Sequence, residues 1–426
     1  MGSSEMITQG AGPVRPLAAR LNERCFCVTI DREKLAHSLD KEAGEPGFFR
    51  QLAAERPHLF SNLPVFIAHA ALDEMVAIVE AIENVGRLPQ YQEQVLSWAP
   101  VDSRIDHGPV GALMGYDFHL APDGPKLIEV NTNAGGAFLN AHLARAQAGC
   151  CFDVEVDRRL IDAFDANLAS MFRQEWRRQR GDGVLATIAI VDDAPNEQYL
   201  YPEFVLAREL LIRQGIAAYI ADPGDLAVRD GALWLESTRI DLVYNRLVDF
   251  ALDAPRHAAL RQAYRGGLVV VTPSPHHHAR LANKRNLTLL SDPEALRLFG
   301  ATADMLARLE GVPLTRLVTQ QNADALWQAR KTMFFKPLSG HGSKAVYRGD
   351  KLTKGVWADI VKGAYVAQAF VAPGERIIDL DGQRVPRKVD VRLYTYDARP
   401  LLVAARVYQG QATNLRTPGG GFAPVL

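Results

Sequence analysis

Residues 115–133 read GYDFHLAPDGPKLIEVNTN, two stretches of strand composition joined by a Pro-Asp-Gly turn. This order predicts a β-hairpin, because the turn residues favour a tight reversal between two short strands. Alternation places Glu129 and Asn131 on one face of the second strand, and hairpin pairing brings Asp117 of the first strand alongside them. Three oxygen-bearing side chains then converge.

Oxygen ligands of this kind suit Mg²⁺, which takes its remaining ligands from water and from nucleotide phosphates. We therefore predict a metal site at Asp117, Glu129 and Asn131, with a nucleotide opposite. An edge hairpin with ordinary solvent-facing carboxylates is the alternative that this stretch alone leaves open.

A second informative stretch, residues 333–343, reads MFFKPLSGHGS. An apolar strand delivers Lys336, and the small residues that follow let backbone N–H groups approach an anion closely. The predicted phosphate loop comprises Ser339, Gly340, His341 and Gly342, in which a protonated His341 could contact a phosphate. A plain hairpin loop with an exposed lysine would have a similar sequence.

Arginines and glycines recur in three later segments: KVDVR (388–392), ARV (405–407) and TNLRTPGGG (413–421). Arginine makes planar, bidentate contacts to carboxylate or phosphoryl oxygens. Arg392, Arg406 and Arg416 therefore predict an anionic reaction centre. Asp390 and Arg392 share a strand face, so a simple surface ion pair is the alternative.

The pattern of strands and helices divides the 426 residues into three segments. Residues 1–180 mix helix and strand. Residues 181–275 alternate strand and helix, which predicts a small parallel sheet with helices on its faces. Residues 276–426 return to a mixed pattern and contain a strand–loop–strand unit within 326–370. The predicted fold class is α/β of the α+β kind, and the family resemblance given below implies that the parallel-sheet segment is an inserted substrate domain.

Composition limits the classes of partner. Lys and Arg total 48 against 49 Asp and Glu, so no overall field favours nucleic acid or an anionic membrane surface. The longest apolar runs have only strand length, and residues 1–5 lack the features of a signal peptide. We expect a cytoplasmic protein without membrane spans.

Two groups of potential metal ligands are better explained in other ways. The pairs Cys25/Cys27 and Cys150/Cys151 lack the spacing of a zinc site, which favours reduced thiols. The run 276–278 is three histidines, but consecutive side chains point in different directions. A polar loop lining a nucleotide cleft is therefore favoured over a metal site.

Together these motifs resemble the ATP-grasp superfamily, whose members show a strand lysine with a glycine loop, then Asp-x-Arg, Arg, an Asn followed by glycines, and finally Asp…Glu-x-Asn. Here the Asp…Glu-x-Asn hairpin comes first, so the pattern is circularly permuted. That order is similar to eukaryotic-type glutathione synthetase over about residues 100–426. The resemblance implies an ATP-grasp fold.

The resemblance also implies roles for further residues. The implied nucleotide contacts, besides the phosphate loop, are Lys284, Lys336, the adenine-holding strand end Gln368, Ala369 and Phe370, and the closing loop Gly419, Gly420 and Gly421. The implied substrate contacts are Arg246, Asn133 and Asn414. Two departures exclude glutathione's own substrates: Gly115 replaces an arginine, and 133–136 replaces a serine-rich turn.

The function implied is an ATP- and Mg²⁺-dependent ligase that joins a small-molecule or short-peptide carboxylate to an amine. Such a ligase would act through an acyl phosphate and release ADP and phosphate. Two alternatives remain: a kinase with the same phosphate clamp, and a nucleotide-binding protein without activity. The sequence also leaves a homodimer open.

Overall fold

The computed structural model describes residues 17–148, 158–338 and 345–426. The strands of these ranges are β1 (Met114–Ala121), β2 (Gly124–Asn131), β3 (Thr187–Val191), β4 (Ala217–Ala221), β5 (Leu226–Arg229), β6 (Ala232–Leu235), β7 (Thr238–Ile240), β8 (Leu242–Asn245), β9 (Val270–Thr272), β10 (Thr315–Leu317), β11 (Met333–Pro337), β12 (Tyr347–Arg348), β13 (Tyr365–Ala369), β14 (Gly374–Leu380), β15 (Gln383–Tyr396), β16 (Arg399–Tyr408) and β17 (Gly421–Ala423).

The α-helices of the same ranges are α1 (Leu17–Arg24), α2 (Arg32–Ala43), α3 (Phe48–Glu55), α4 (His69–Val85), α5 (Pro89–Ser97), α6 (Ala137–Arg145), α7 (Arg159–Arg180), α8 (Tyr201–Arg213), α9 (Ala258–Arg265), α10 (Pro275–His277), α11 (Leu287–Leu290), α12 (Pro293–Leu298), α13 (Ala303–Arg308), α14 (Ala323–Ala329) and α15 (Lys354–Lys362). None of these helices is long and apolar enough to cross a membrane.

The main sheet is antiparallel and contains the hairpin expected from residues 115–133. Its strand order is β17-β16-β15-β1-β2, and β14 pairs with the first half of β15 on the edge where β1 pairs with the second half. In this register Asp117 lies opposite both Glu129 and Arg392. The pairing thus brings residues far apart in sequence onto neighbouring strands.

The two faces of the main sheet differ in chemistry. One face is apolar throughout: Tyr116, Val130 and Val391 pack with α4 and α5 in a buried cluster. The other face is apolar only at one end, where Tyr394 and Leu402 join α6 and α7 in a second core. At its other end this face carries charged side chains, and the cavity described below lies there.

The parallel sheet has the strand order β4-β3-β8-β9. It arises from the strand–helix alternation of residues 181–275. The same segment also contains β5–β7, a small antiparallel meander that this alternation did not predict.

Two buried glutamates join the parallel-sheet segment to the rest of the chain. Glu175 of α7 accepts hydrogen bonds from the Val110 and Gly111 amides, from the Thr272 hydroxyl and from the Tyr396 hydroxyl. Glu203 of α8 accepts from three amides at the start of α6, at 3.0–3.2 Å. Both carboxylates thus satisfy backbone donors that would otherwise be unpaired inside the protein.

A third sheet, with the order β10-β13-β11-β12, covers the charged end of the main sheet. We call it the lid sheet. Its small core contains Phe335 and Ile360, packed beside a pair of tryptophans, Trp327 and Trp357, whose ring centroids are 5.6 Å apart.

Residues 281–290 do not form one continuous helix. Asn283 has extended backbone angles, and its side chain accepts from the Arg285 amide, which starts a new short turn before α11. The histidine run does not form a polar loop: His276 and His277 are buried and bond to the carbonyls of Ser103 and Pro109. The run therefore lies within α10 and the turn after it.

Candidate functional site

A cavity of about 470 Å³ lies between the charged end of the main sheet and the lid sheet. Twelve of the residues singled out from the sequence line it: Asp117, Glu129, Asn131, Asn133, Lys284, Lys336, Gln368, Ala369, Phe370, Arg392, Arg406 and Asn414. These residues come from the first and third predicted segments, and Leu200, Val248 and Phe250 of the second segment line the same cavity.

At the floor of the cavity, Asp117 is bound by two arginines. Arg392 contacts it in a bidentate manner, with Nε–Oδ1 and Nη2–Oδ2 distances of 2.6 and 2.7 Å, and Arg406 Nη2 lies 2.8 Å from Oδ2. Arg406 Nε also contacts Asp390 Oδ1 at 2.5 Å. Two carboxylates and two guanidiniums thus form a buried, charge-balanced cluster.

This cluster fixes the charge of its members. Burial acts to raise the pKa of Asp117, but the neighbouring guanidiniums of Arg392 and Arg406 more than offset it and hold that pKa below its usual range. Burial acts in the opposite sense on Arg406, where Asp117 and Asp390 prevail and raise the pKa. All three side chains therefore stay ionised at neutral pH.

Glu129 and Asn131 lie beside this cluster. Asn131 Nδ2 donates to Asp117 Oδ2 at 3.1 Å and to Glu129 Oε1 at 3.2 Å, so the three side chains of the predicted metal site are in mutual contact. Their oxygens suit Mg²⁺ by type. Oδ2 of Asp117 already accepts from three side chains, so a metal would reach that oxygen only after a donor leaves it, whereas Oδ1 accepts from Arg392 Nε.

Lys336 occupies the opposite side of the cavity. Its Nζ donates to the Ile128 carbonyl and to Gln368 Oε1, both at 2.8 Å, and both Lys336 and Gln368 are buried. Because lysine only donates, Gln368 must face it through oxygen, which leaves Gln368 Nε2 without a partner beside the cavity. Burial lowers the pKa of Lys336 to about 8.

The strand end predicted to hold adenine offers fewer backbone donors than expected. The Ala369 amide donates to Leu314 O and the Phe370 amide to Thr332 O, both at 2.8 Å. The Val371 carbonyl interacts with His119 Nδ1 at 2.9 Å. Backbone recognition by Ala369 and Phe370 therefore depends on their carbonyl groups, while the Phe370 ring lines the cavity.

No protein-family model matches the sequence, and no curated protein matches it. Among solved structures, a glutathione synthetase-like effector (GSS30) from Globodera pallida, in its apo form, matches with a TM-score of 0.57 and 12% identity, over 94% of this chain and 99% of that one. The chain has a glutathione synthetase-like fold. The permuted motif order stays a prediction.

Two other matches are weaker. A candidate γ-glutamylcysteine synthetase from Methylobacillus flagellatus KT gives a TM-score of 0.48 at 11% identity, over 84% of this chain and 87% of that one. D-alanyl-alanine synthetase A from Vibrio cholerae O1 biovar eltor gives 0.31 at 14% identity, over 57% and 88%.

Within this ATP-grasp fold, some predicted site residues lie away from the described cavity lining. Arg246 is buried and donates to the Tyr244 hydroxyl and the Asn133 carbonyl, and Arg416 is exposed above the Tyr199 ring. The glycines at 419–421 are closely packed: Gly419 lies against the Ile378 side chain, and a Cβ at Gly421 would lie 2.5 Å from the carbonyl oxygens of residues 58 and 59. The predicted phosphate loop, Ser339, Gly340, His341 and Gly342, lies outside the described residues.

The structure also adds residues to the site that the motifs did not indicate. Lys388 and Arg348 line the cavity, as do Gln411, Ala412, Thr413 and Leu415, which flank the predicted Asn414 after β16. Thr413 donates to Asp390, and Tyr199 donates to the Leu415 carbonyl at 3.0 Å, so this segment connects the main sheet to the parallel-sheet segment. The polar stretch of residues 413–416 was the available signal, but only Asn414 and Arg416 were predicted from it.

Proposed function

We propose that this protein is an ATP-dependent carboxylate–amine ligase that forms an amide bond through an acyl phosphate and releases ADP and phosphate. The observation that carries the proposal is the meeting of Asp117, Glu129 and Asn131 with Lys336 and Arg392 in one cavity of an ATP-grasp fold. Carboxylates for a metal, a lysine for phosphates and an arginine for an anionic substrate are the parts that phosphoryl transfer to a carboxylate requires.

Mg-ATP, when bound, supplies the phosphoryl group. The oxygens of Glu129, Asn131 and Asp117 would hold Mg²⁺, while Lys336 and Lys284 would face the phosphates. Gln368 keeps Lys336 charged and in place without neutralising it, because an amide oxygen accepts a hydrogen bond but carries no net charge.

Arg392 and Arg406 would orient the substrate carboxylate and stabilise negative charge as it develops on the reacting oxygens. A carboxylate that draws Arg392 away from Asp117 would free an oxygen of Asp117 for the metal. Acid binding and metal binding would thereby support each other. The second substrate, an amine, then displaces phosphate from the activated acid.

Substitution of Glu129 tests the proposal. Glu129→Gln keeps the size and removes the charge, and we expect ADP release in the presence of acid and amine to fall at least about 100-fold, since a metal ligand contributes several kcal/mol to the transition state. Glu80→Gln, at a surface glutamate paired with Arg308, is the matched control and should keep the normal rate.

Product analysis by chromatography separates the alternatives. We expect ADP, formed rapidly only with both acid and amine. AMP with pyrophosphate would contradict the proposal, full-rate ADP formation without an amine would indicate a kinase, and nucleotide binding without turnover on any acid would indicate an inactive binder. The cytoplasmic location and a homodimer stay predictions.

A further inference from the structure

One wall of the cavity is apolar although it lies next to charged groups. Leu200, Val248, Phe250 and Leu415 all line the cavity, and none of them is fully buried. Val248 is 39% exposed. Large apolar side chains that are left partly exposed together in a cavity mark a surface that a ligand covers.

Hydrogen bonds connect the segments that form this wall. Asn133 Nδ2 donates to the carbonyls of Arg246 and Leu247, both at 2.6 Å, which fixes the segment that leads to Val248. Leu200 packs on Gly135, where a Cβ would lie 2.5 Å from Leu200 Cδ1. Leu415 is held by the hydroxyl of Tyr199, the neighbour of Leu200. These contacts hold the segments that carry the four side chains, all of which line the same cavity.

The charged residue between two members of this wall, Asp249, makes its contacts elsewhere. Asp249 stands between Val248 and Phe250, but its carboxylate accepts from the Ala254 amide and contacts His257 Nδ1, both at 2.8 Å. Phe250 is further covered by His278, stacked at 3.7 Å between ring centroids, and burial lowers the pKa of His278 to about 3. The ring of His278 is therefore neutral at physiological pH.

The wall adjoins the arginine cluster. The Gly135 carbonyl, next to Leu200, accepts from Arg392 Nη1 at 3.4 Å and from the Tyr394 hydroxyl at 2.8 Å. A carboxylate on Arg392 therefore places the group attached to it against Leu200 and its neighbours. An ionised group packed against these four apolar side chains would lose hydration on that side, whereas an aliphatic or aromatic group would be favourably buried.

We propose that the carboxylate substrate is an amino acid or short peptide whose carboxyl-terminal side chain is apolar, and that Leu200, Val248, Phe250 and Leu415 select it. This inference rests on the proposed ligase function, whose acid substrate it specifies. The acid is activated as its acyl phosphate, with ADP as the other product.

The test uses hydroxylamine as a general amine, which converts an acyl phosphate into a hydroxamate and phosphate. The full-length protein with Mg-ATP is assayed with leucine and phenylalanine against aspartate and glutamate, each as the free amino acid and as its glycyl dipeptide. We expect hydroxamate from the apolar acids at least about tenfold faster than from the acidic ones, since a mismatched pocket contact changes rates by 10–200-fold.

Val248→Asp tests whether the wall selects the side chain of the acid. Position 248 is partly exposed, so the new carboxylate need not be buried. It should lower the ratio of leucine to lysine turnover at least about tenfold, since the new carboxylate pairs with a cationic side chain. The matched control is Val184→Asp, at a valine that is 85% exposed and outside the cavity lining, which should leave the ratio unchanged.

The two proposals fail in different ways. Hydroxamate formed best from aspartate or glutamate would overturn the apolar wall and leave the ligase proposal standing. Failure of every acid in the presence of bound nucleotide would overturn the ligase proposal. In that case the role of the apolar wall is still tested by titration calorimetry of leucine and aspartate into protein saturated with Mg²⁺ and a nonhydrolysable ATP analogue. Leucine must bind at least about tenfold more tightly than aspartate, or the inference is wrong.

Discussion

The buried position of Lys336 makes nucleotide affinity depend on pH in a defined way. Burial lowers the pKa of this lysine to about 8, and its two hydrogen-bond acceptors, Ile128 O and Gln368 Oε1, are neutral. Phosphate groups favour the charged form, so the pKa rises on nucleotide binding. Affinity is therefore highest below pH 8 and falls as the pH rises above it.

The size of the effect follows from the fraction of protonated Lys336 in the free protein. That fraction is about 0.9 at pH 7 and about 0.1 at pH 9 for a pKa near 8, so the affinity should fall about tenfold, or about 1.4 kcal/mol. Titration calorimetry with a nonhydrolysable ATP analogue at pH 7, 8 and 9 measures this directly.

Lys336→Arg provides the matched control, because a guanidinium stays charged across this range and reports any ionisation of the nucleotide itself. Gln368→Leu removes one acceptor, so the midpoint should move to lower pH. Equal pH dependence in the wild type and in Lys336→Arg would refute the assignment of Lys336 to the phosphates.

Three further expectations follow from buried groups. Asp117→Asn leaves Arg392 and Arg406 without their shared carboxylate and should lower the free energy of unfolding, measured in urea, by about 3–5 kcal/mol. The control Asp304→Asn, at an exposed ion pair, should lower it by under about 1 kcal/mol. Similar losses in the two variants would contradict the buried cluster. Burial lowers the pKa of His277 from its ordinary value of 6.5 to about 3. The contribution of the neutral ring to stability is therefore complete above pH 6.5 and is lost as the pH falls towards 3, by about 2 kcal/mol at pH 5. An unchanged acid dependence of stability in His277→Gln would exclude His277 as the source. Incubation with ATP, γ-glutamylcysteine and glycine should give no glutathione by mass spectrometry, because Gly115 stands where the glutathione synthetases have an arginine. No arginine fits at this position, since a Cβ at Gly115 would lie 2.5 Å from the Ala134 Cβ. Abundant tripeptide would contradict this prediction.

The sequence predicted the structure best where the alternation of side chains along a strand and the residues of a turn indicate the same element. The hairpin of residues 115–133 has both, and its alternation correctly placed Asp117, Glu129 and Asn131 on one face. The same kind of signal was missed twice: Asp230-Gly231 and Asp381-Gly382 have positive φ at both residues, the geometry of tight hairpin turns, and they lead into β6 and β15.

Other features depend on contacts that no sequence pattern contains. The ion pair of Asp117 with Arg392 joins positions 275 residues apart, and only the pairing of β1 with β15 brings them together. The family resemblance assigned the glycines at 419–421 to a closing loop, yet close packing against neighbouring atoms also requires glycine. Sequence alone cannot separate these two reasons.

The carboxylate of Glu175 has a consequence for how the molecule unfolds. It bonds at once to the segment before β1, to Thr272 at the end of the parallel sheet and to Tyr396 at the end of β15. Opening of the parallel-sheet segment would separate the Thr272 hydroxyl from this buried carboxylate, so local opening there loses a hydrogen bond to a buried charge as well as the segment's own contacts. Calorimetry should therefore show the two sheets melting in one cooperative transition, and slow amide hydrogen exchange should extend through both.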